Sequence, residues 1–205
     1  IKRVLQYFPL NLLSTEEYSS DIIKKSLFAL VLNFLKKKKK EKSLIFLISG
    51  PSAVGKDAVL NPVFDRLLQM DIRAEYLTKY TNRKKKNSDL EYYKFLSDSK
   101  FDSLERNNSL ILYEFKYGHK YGFDSNHLKE AAKTGTIMFA VYTDLRKKKL
   151  KNAIRELNQH SFAVCSILLN SEFVYLKRRT RTRGLSPEEQ ITRMTTAEKE
   201  SKYIQ

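Results

Sequence analysis

The sequence predicts an α/β fold in which a parallel sheet is covered by helices on both faces, giving three α/β/α layers. Three observations support this class. Residues 44–48 form an unbroken apolar run, which is typical of a buried strand in a parallel sheet. Similar apolar runs recur at 137–142 and 162–169 and alternate with segments of helical periodicity. A glycine-rich loop joins the first run to the helical segment 58–70.

The order strand, glycine-rich loop, lysine and helix is that of a phosphate-binding loop. The loop reads GPSAVGKD from residue 50 to residue 57. Its backbone N–H groups can surround a triphosphate, and its lysine can reach the β- and γ-phosphates. A chance glycine-rich turn between a core strand and a core helix is the alternative. The predicted triphosphate-binding residues are Gly50, Ser52, Ala53, Val54, Gly55, Lys56, Asp57 and Ala58.

Asp57 stands where such a loop usually has Ser or Thr, whose hydroxyl helps to hold Mg²⁺. A carboxylate is also a hard oxygen ligand, so Asp57 is the predicted Mg²⁺ ligand. Its negative charge beside phosphates must be offset by the metal or by nearby cations.

The charge balance points to an anionic partner. The 205 residues suit one domain with an appendage, and 39 Lys and Arg against 23 Asp and Glu give a formal net charge of +16. A nucleotide, a nucleic acid or a membrane surface would suit this charge, although lysine runs at 36–40 and 84–86 supply much of it. The single cysteine, Cys165, lies in an apolar run and excludes an internal disulfide framework. It predicts a buried thiol in a reducing, cytoplasmic compartment, with an organelle as the alternative.

Residues 1–42 are predicted to form an N-terminal helical and basic extension to a domain at 43–205. Ser19 and Asp21 are candidate caps for a helix that runs to about Lys36. Its apolar stretch is too short to span a bilayer. Three alternatives remain for it: contact with an anionic membrane surface, packing on the domain, or a disordered leader. No secretory signal is evident.

The rest of the chain alternates strands with helices. Further strands are predicted at 91–96 and 110–115, and residues 118–122 are predicted to form a turn. Helices are predicted at 97–104, 126–133, 147–159, 172–179 and 188–203, with Ser97 and Gly135 as helix-boundary residues.

A group of arginines follows the last predicted strand. Phosphoryl transfer needs cations around a charge-rich transition state, and a mobile lid that carries arginines could close over the phosphates. A solvated basic helix end is the alternative interpretation. The arginines are Arg178, Arg179, Arg181, Arg183 and Arg193.

Taken together, these residues resemble the guanylate kinase family. The resemblance rests on the ordered motifs GPSAVGKD, TNR-K, YYKFLS, KYGHKYG and RTRTRGLSPEEQITRM, and it covers roughly residues 44–204. It implies a P-loop NTPase core with a nucleoside-monophosphate-binding region at about 78–125 and a lid at about 179–192. The family continues with a final strand and helix, so the resemblance also implies a C-terminal truncation.

The resemblance implies roles for the phosphate-binding residues. Lys86 stands where a second acceptor-binding arginine is expected, and it keeps the charge without the planar fork. Tyr93 and Tyr121 could also be ordinary strand and turn aromatics. The residues implied to act on the transferred phosphate are Lys56, Arg179, Arg183 and Arg193, and those implied to bind the acceptor phosphate are Arg83, Lys86, Tyr93 and Tyr121.

The positions that the family uses to read guanine depart from its pattern. Lys79 stands where a serine hydroxyl is expected. Leu112 stands where a glutamate is expected, and Glu114 lies two residues further on, on the same face of a strand. Thr143 stands where an aspartate is expected, and Asp144 follows it. All of these except Leu112 are predicted acceptor-binding residues.

The resemblance implies ATP- and Mg²⁺-dependent phosphoryl transfer to a nucleoside monophosphate, with GMP as the first choice. One alternative is ribose 1,5-bisphosphate kinase, a relative whose acceptor has no base and which has a basic residue at the position of Lys79. A non-catalytic guanylate kinase-like binding module is another, although Gly55, Lys56 and the lid arginines argue against it. Nucleic-acid binding through the basic surface is a third. Small-molecule substrates are therefore the expected partners, with no specific nucleic acid, and the oligomeric state is left open.

Overall fold

A four-stranded parallel sheet forms the centre of the molecule. The computed structural model describes residues 20–37, 43–85, 89–171, 173–182 and 184–203. In chain order, the elements of these residues are α1 (Ser20–Lys37), β1 (Ser43–Ser49), α2 (Lys56–Gln69), β2 (Ala74–Tyr76), β3 (Lys79–Thr81), β4 (Tyr93–Phe95), α3 (Asp98–Arg106), β5 (Leu110–Lys116), β6 (His119–Asp124), α4 (Ser125–Thr134), β7 (Ile137–Val141), α5 (Lys147–Gln159), β8 (Phe162–Leu168), α6 (Phe173–Arg181) and α7 (Pro187–Lys202).

The strand order of the central sheet is β2-β7-β1-β8, and every neighbouring pair is parallel. Strand β1 lies between two strands, and all seven of its residues are buried because apolar clusters cover both faces of the sheet. The phosphate-binding loop follows the carboxyl end of β1, so it emerges at one edge of this sheet. Ligands of open parallel sheets bind at this edge.

Alternating residues of β1 face two apolar layers. Phe46 and Ile48 belong to one cluster with Leu60 of α2, while Ile45 and Leu47 belong to a second cluster with Leu157 of α5. The period of two along a strand produces this division. The predicted parallel sheet with helices on both faces is confirmed.

Helix α1 packs on the first of these layers. Leu27 and Val31 are buried in the cluster that contains β1 and α2, and the guanidinium of Arg66 on α2 lies over the ring of Phe28, 5.3 Å from its centroid. The predicted helix is therefore present, although the candidate cap Ser19 lies outside the described residues. The division of the chain at residue 42 stays a prediction. Among the described helices, none combines the length and apolarity that a bilayer span requires.

A second sheet, ordered β4-β3-β6-β5, stands beside the first and holds four of the eight predicted acceptor-binding residues, namely Lys79, Tyr93, Glu114 and Tyr121. The predicted turn at 118–122 is wrong. Only Tyr117 and Gly118 turn, with φ of +54° and +76°, and β6 then pairs antiparallel with both β3 and β5. Two consecutive positive φ angles are typical of a two-residue hairpin turn, which matches the twist of its strands. The short spacing between Gly118 and Gly122 is typical of a turn, but this segment begins strand β6, whose partner β3 is distant in sequence.

Two smaller expectations on element ends are confirmed. The Ser97 hydroxyl accepts a hydrogen bond from the Lys100 amide at 3.4 Å and caps α3. Gly135 ends α4 with φ +70°. Strand β4 is shorter than predicted, since the two residues after Leu90 form a turn.

Candidate active site

Two glycines are required by the backbone of the phosphate-binding loop. A Cβ at Gly50 would lie 2.6 Å from the carbonyl oxygen of Leu169, so no larger residue fits there without moving the loop. Gly55 has φ +91° and precedes the first residue of α2. Since glycine has no side chain to cap the helix, the N–H groups of the first turn are left to bind an anion.

Lys56 lies folded over its own loop. Its ammonium donates hydrogen bonds to the carbonyl oxygens of Gly50 at 2.9 Å and Pro51 at 3.0 Å. Burial, followed by the nearby ammonium of Lys116, lowers the pKa of Lys56 to about 8. The positive charge of Lys56 is therefore costly in the absence of an anion, and a bound phosphate would relieve this cost.

A cavity of about 370 Å³ connects the phosphate-binding loop to the second sheet. It is partly open to solvent, and more cationic than acidic side chains line it. Residues predicted for both substrates line this one cavity. Its lining residues are Ser52, Ala53, Gly55, Lys56, Asp57, Lys79, Arg83, Asp89, Leu90, Tyr93, Lys116, Tyr117, Tyr121, Thr143, Leu185 and Arg193.

Arg83, a predicted acceptor-binding residue, is held rigidly where the cavity meets the second sheet. Its two terminal nitrogens donate to the two carboxylate oxygens of Asp89, one of them at 2.7 Å. Its guanidinium also lies 5.1 Å from the ring centroids of both Tyr93 and Phe95. A planar guanidinium in this setting presents a fixed fork that suits a phosphate group.

Tyr93 and Tyr121 border the same region. Burial raises the pKa of each phenol, so both remain protonated and can donate a hydrogen bond. Tyr93 stacks on Tyr92, with 4.6 Å between ring centroids, and Tyr92 stacks in turn on Tyr76. This aromatic row connects this part of the cavity to Tyr76 in the central sheet.

Lys79 and Glu114 form a buried ion pair behind the cavity. The Lys79 ammonium donates to Glu114 Oε1 and to the carbonyl oxygen of Val141, both at 3.0 Å. Glu114 Oε2 accepts from the amide of Thr143 at 3.1 Å and from its hydroxyl. Burial lowers the pKa of Lys79, and the contact with Glu114 opposes this effect. Lys79 and Thr143 line the cavity, whereas Glu114 supports them from behind.

A bulge in β5 brings Glu114 to this position. The pairing of β5 with β6 shifts between Ile111 and Glu114, and Leu112 has φ +51°. Leu112 lies in the apolar cluster on the second face of the sheet. The carboxylate of this region therefore comes from Glu114, two residues after the position that the family pattern indicates.

Asp144 is the predicted acceptor residue that the structure turns away from the cavity. Its carboxylate oxygens accept hydrogen bonds from Arg146, including one from the backbone amide at 3.1 Å and one from Nε at 2.9 Å. Although burial opposes it, hydrogen bonding to Arg146 lowers the pKa of Asp144. Asp144 thus begins the turn into α5.

The arginines of the predicted lid occupy different places. Arg179 on α6 donates to the carbonyl oxygen of Val54 in the phosphate-binding loop at 3.2 Å. Arg193 on α7 lies over the ring of Tyr117, 5.4 Å from its centroid, and lines the cavity. Arg183 and Lys86 lie outside the described residues.

Asp57 lies exposed in the first turn of α2 and lines the cavity. No group of three or more acidic, histidine or cysteine side chains that could hold a metal occurs within the described ranges. A divalent cation at this site would therefore depend on one carboxylate together with substrate phosphates and water, which is a common arrangement for Mg²⁺.

The sequence interpretation missed two charged residues of this site. Lys116 follows Glu114 by two residues on β5 and lines the cavity. Glu200 on α7 accepts a hydrogen bond from the Ser52 amide of the phosphate-binding loop at 3.2 Å and pairs with Lys116. The signals were available, since Lys116 continues the alternation of the strand and Glu200 stands seven residues after Arg193, on the same helix face.

The guanylate kinase family model matches residues 41–204 of this chain. The guanylate kinase of Mycoplasma capricolum is 28% identical over 154 residues, which cover 74% of this chain and 48% of that protein. The guanylate kinase of Rickettsia prowazekii is 28% identical over 164 residues, covering 78% of each. This chain thus spans about half the length of the Mycoplasma capricolum protein and 78% of the Rickettsia prowazekii protein.

The fold matches a solved structure as well. The crystal structure of guanylate kinase from Anaplasma phagocytophilum superimposes with a TM-score of 0.50 at 20% identity, covering 78% of this chain and 74% of that one. At this identity the likeness supports the fold. The family match spans most of the chain, including the phosphate-binding loop, the predicted acceptor-binding residues and the described arginines of the predicted lid. The chain belongs to the guanylate kinase family.

Proposed function

We propose that this chain transfers the γ-phosphoryl group of ATP to the phosphate of a nucleoside monophosphate, converting GMP to GDP. One observation carries this proposal: Lys56 of the phosphate-binding loop, Tyr93 and Tyr121 of the second sheet, and Arg83 just after β3 line a single cavity. A donor and an acceptor phosphate bound at these two places would face each other. Both substrates are small molecules, and we expect the reaction to occur in the cytoplasm.

The reaction needs no nucleophile from the protein. An oxygen of the acceptor phosphate attacks the γ-phosphorus of ATP, a new P–O bond forms, and the bond to the ADP oxygen breaks. Lys56 and the loop amides would hold the donor phosphates, while Arg83, Tyr93 and Tyr121 would orient the attacking phosphate. The protein therefore acts by positioning and by stabilising charge.

The lid arginines would supply further positive charge. Arg193 already lines the cavity, and Arg179 contacts the loop beside it. Arg183 is assigned here by the family motif alone. Closure of the lid over bound phosphates would exclude water and favour transfer to the acceptor over hydrolysis.

Asp57 would hold Mg²⁺ together with the phosphates of ATP. When bound, the ion would neutralise phosphate charge and so assist the departure of ADP. Its hard carboxylate and its place in the first turn of α2 suit this role.

The end of the cavity formed by Lys79 and Thr143 supports guanine as the base. An ammonium only donates hydrogen bonds. Guanine has a carbonyl oxygen beside N7, whereas adenine has an amino group there. Two N–H bonds of Lys79 are used by Glu114 and Val141, and the third could donate to the guanine carbonyl oxygen, where AMP would present an amino group.

The test is ADP release by the purified chain with ATP, Mg²⁺ and one acceptor at a time: GMP, dGMP, AMP, UMP or ribose 1,5-bisphosphate. We expect turnover with GMP above the other nucleotides, and a loss of about a hundredfold or more for Lys56→Met. Lys129→Met, which removes an exposed lysine of α4, is the matched control. Turnover with ribose 1,5-bisphosphate alone would show that the acceptor is the sugar bisphosphate and not GMP. The absence of Lys56-dependent turnover with every acceptor would refute the proposal.

A further inference from the structure

Lys116 lies where the phosphate-binding loop meets the acceptor side of the cavity. Its ammonium donates to the carbonyl oxygen of Thr143 at 2.9 Å and to the carboxylate of Glu200. An ammonium has three N–H bonds. Among the described residues these two oxygens take two of them, and the third is left for a group in the cavity that Lys116 lines.

Glu200 connects three parts of the site. One carboxylate oxygen accepts from the Ser52 amide of the phosphate-binding loop at 3.2 Å, and the other accepts from Lys116 on β5. The side chain is 7% exposed, so both contacts are shielded from water. Its helix, α7, also carries Arg193, whose guanidinium lies over the ring of Tyr117. The ammonium of Lys116 lies 5.2 Å from the centroid of that same ring.

The electrostatics favour a bound anion beside Lys116. Burial opposes its charge, but the neighbouring Tyr117 and the Glu200 carboxylate raise the pKa of Lys116 above its ordinary value. Lys116 in turn lowers the pKa of Lys56, because two ammonium groups lie near each other. A phosphate between them would offset this repulsion. The described lining residues include five cationic side chains but only two carboxylates, those of Asp57 and Asp89, so the cavity carries an excess of positive charge.

We propose that Lys116 is a further phosphate-contacting residue of this site and that Glu200 positions it. The phosphate belongs either to the acceptor or to the group in transfer, since Lys116 lies between the places of both. Glu200 fixes the ammonium relative to the loop because it holds Lys116 and the Ser52 amide at once. As far as it concerns transfer, this inference rests on the proposed function.

The first test compares Lys116→Met with Lys129→Met, which removes the same charge from the exposed face of α4. If Lys116 contacts the acceptor phosphate, KM for GMP rises by about tenfold or more while KM for ATP is unchanged, as expected for one charge-assisted hydrogen bond. If it contacts the group in transfer, kcat falls by about the same factor and both KM values hold. Kinetic constants within about twofold of those of Lys129→Met would overturn the proposal.

The second test examines the positioning role of Glu200. Glu200→Gln keeps the shape of the side chain and removes its charge. We expect it to change the same kinetic constant as Lys116→Met and to leave the other constants unchanged. The urea unfolding midpoint should fall, because the largely buried Lys116 ammonium loses its carboxylate, so the kinetics are measured at a temperature where the variant is fully folded. In the double variant the two effects should not add, because they act through one ammonium. Full additivity, or a change in a different constant, would overturn the positioning role.

The outcomes for the two proposals are separable. If the wild-type chain transfers no phosphate to any acceptor, the proposed function fails and the kinetic test has no baseline. Calorimetric titration with ATP, GMP and inorganic pyrophosphate then decides the role of Lys116. Binding of at least one of these about tenfold weaker in Lys116→Met than in Lys129→Met supports the contact. Equal affinities for all three would overturn it.

Discussion

The Lys79 ammonium lies 3.0 Å from a carboxylate oxygen of Glu114, and the two side chains are 1% and 2% exposed. Desolvation makes each charge costly, and each partner compensates the other. The Lys79 ammonium also lies 4.8 Å from the ring centroid of Phe123 and 5.2 Å from that of Tyr121. The pair therefore joins β3 to β5 and sets the donor that faces the cavity.

Removing one partner of this pair should cost far more than removing both. Lys79→Met leaves the Glu114 carboxylate buried without its cation, and we expect the free energy of unfolding to fall by about 3–5 kcal/mol. The double variant Lys79→Met, Glu114→Gln should recover more than half of that loss, because no net charge stays buried. Urea unfolding of the wild type, both single variants and the double variant measures the coupling. A double variant as unstable as the sum of the single variants would contradict this account.

Gly50→Ala should disrupt the phosphate-binding loop. The new methyl group would lie 2.6 Å from the carbonyl oxygen of Leu169, so the loop or the end of β8 must move. We expect a stability loss of about 1–3 kcal/mol and a loss of ATP binding. Gly135→Ala is the matched control, since φ is +70° there and no atom lies within 4 Å of the added Cβ. It should lose about 1 kcal/mol and bind ATP normally. Urea unfolding and calorimetric titration with ATP check both variants.

The affinity for ATP should fall as the pH rises through about 8, where Lys56 loses its proton. If only the protonated form binds, the loss approaches about tenfold per pH unit above that point. Titrations with ATP across this range test the slope, and Lys56→Met should bind weakly with a flatter profile. An equal slope in both proteins would assign the pH dependence to another group.

Stability should change in the opposite direction over the same window. The pKa of Lys56 is about 8 when folded and 10.5 in its ordinary state, so between these values the unfolded chain binds more protons. The contribution of Lys56 to the free energy of unfolding therefore rises with pH across this window. Urea unfolding of the wild type minus that of Lys56→Met isolates the contribution. A difference that stays constant from pH 8 to pH 10.5 would contradict the lowered pKa.

The central layer could be predicted from the sequence because its signals are local. The apolar run of β1, the glycines of the loop and the periodicity of α2 each lie within one short segment. The buried position of Cys165 was predictable in the same way, and burial raises the pKa of its thiol to about 12. Hydrophobic patterns within short segments are therefore sufficient to predict these features.

The second sheet was harder to predict because its order depends on pairing between distant residues. Strand β6 follows a turn of two residues and pairs with β3, whose residues lie 40 to 44 positions earlier in the chain. The bulge at Leu112 and the contact between Glu200 and the Ser52 amide also form only when distant segments meet. By contrast, the motifs around Lys56, Arg83, Tyr93 and Tyr121 led to residues that do line one cavity.

Arg83→Lys tests whether the geometry of this guanidinium, as well as its charge, binds the acceptor phosphate. Lysine keeps the positive charge but loses both the paired hydrogen bonds to Asp89 and the planar contact with Tyr93 and Phe95. We expect KM for GMP to rise by about tenfold or more while KM for ATP stays unchanged, since a two-point phosphate contact becomes a point charge. Steady-state kinetics with each substrate varied in turn measures both constants.

The matched control for this change is Arg155→Lys, on the exposed face of α5. It alters the same chemical group far from the cavity and should leave both KM values as in the wild type. If Arg83→Lys also leaves KM for GMP unchanged, the charge alone is sufficient and the stack against Tyr93 and Phe95 serves the fold. If KM for ATP rises instead, Arg83 acts on the donor side, and the acceptor phosphate must be sought nearer to Lys116. Only a selective effect on the acceptor agrees with a guanidinium whose plane is fixed by Asp89 before the substrate arrives.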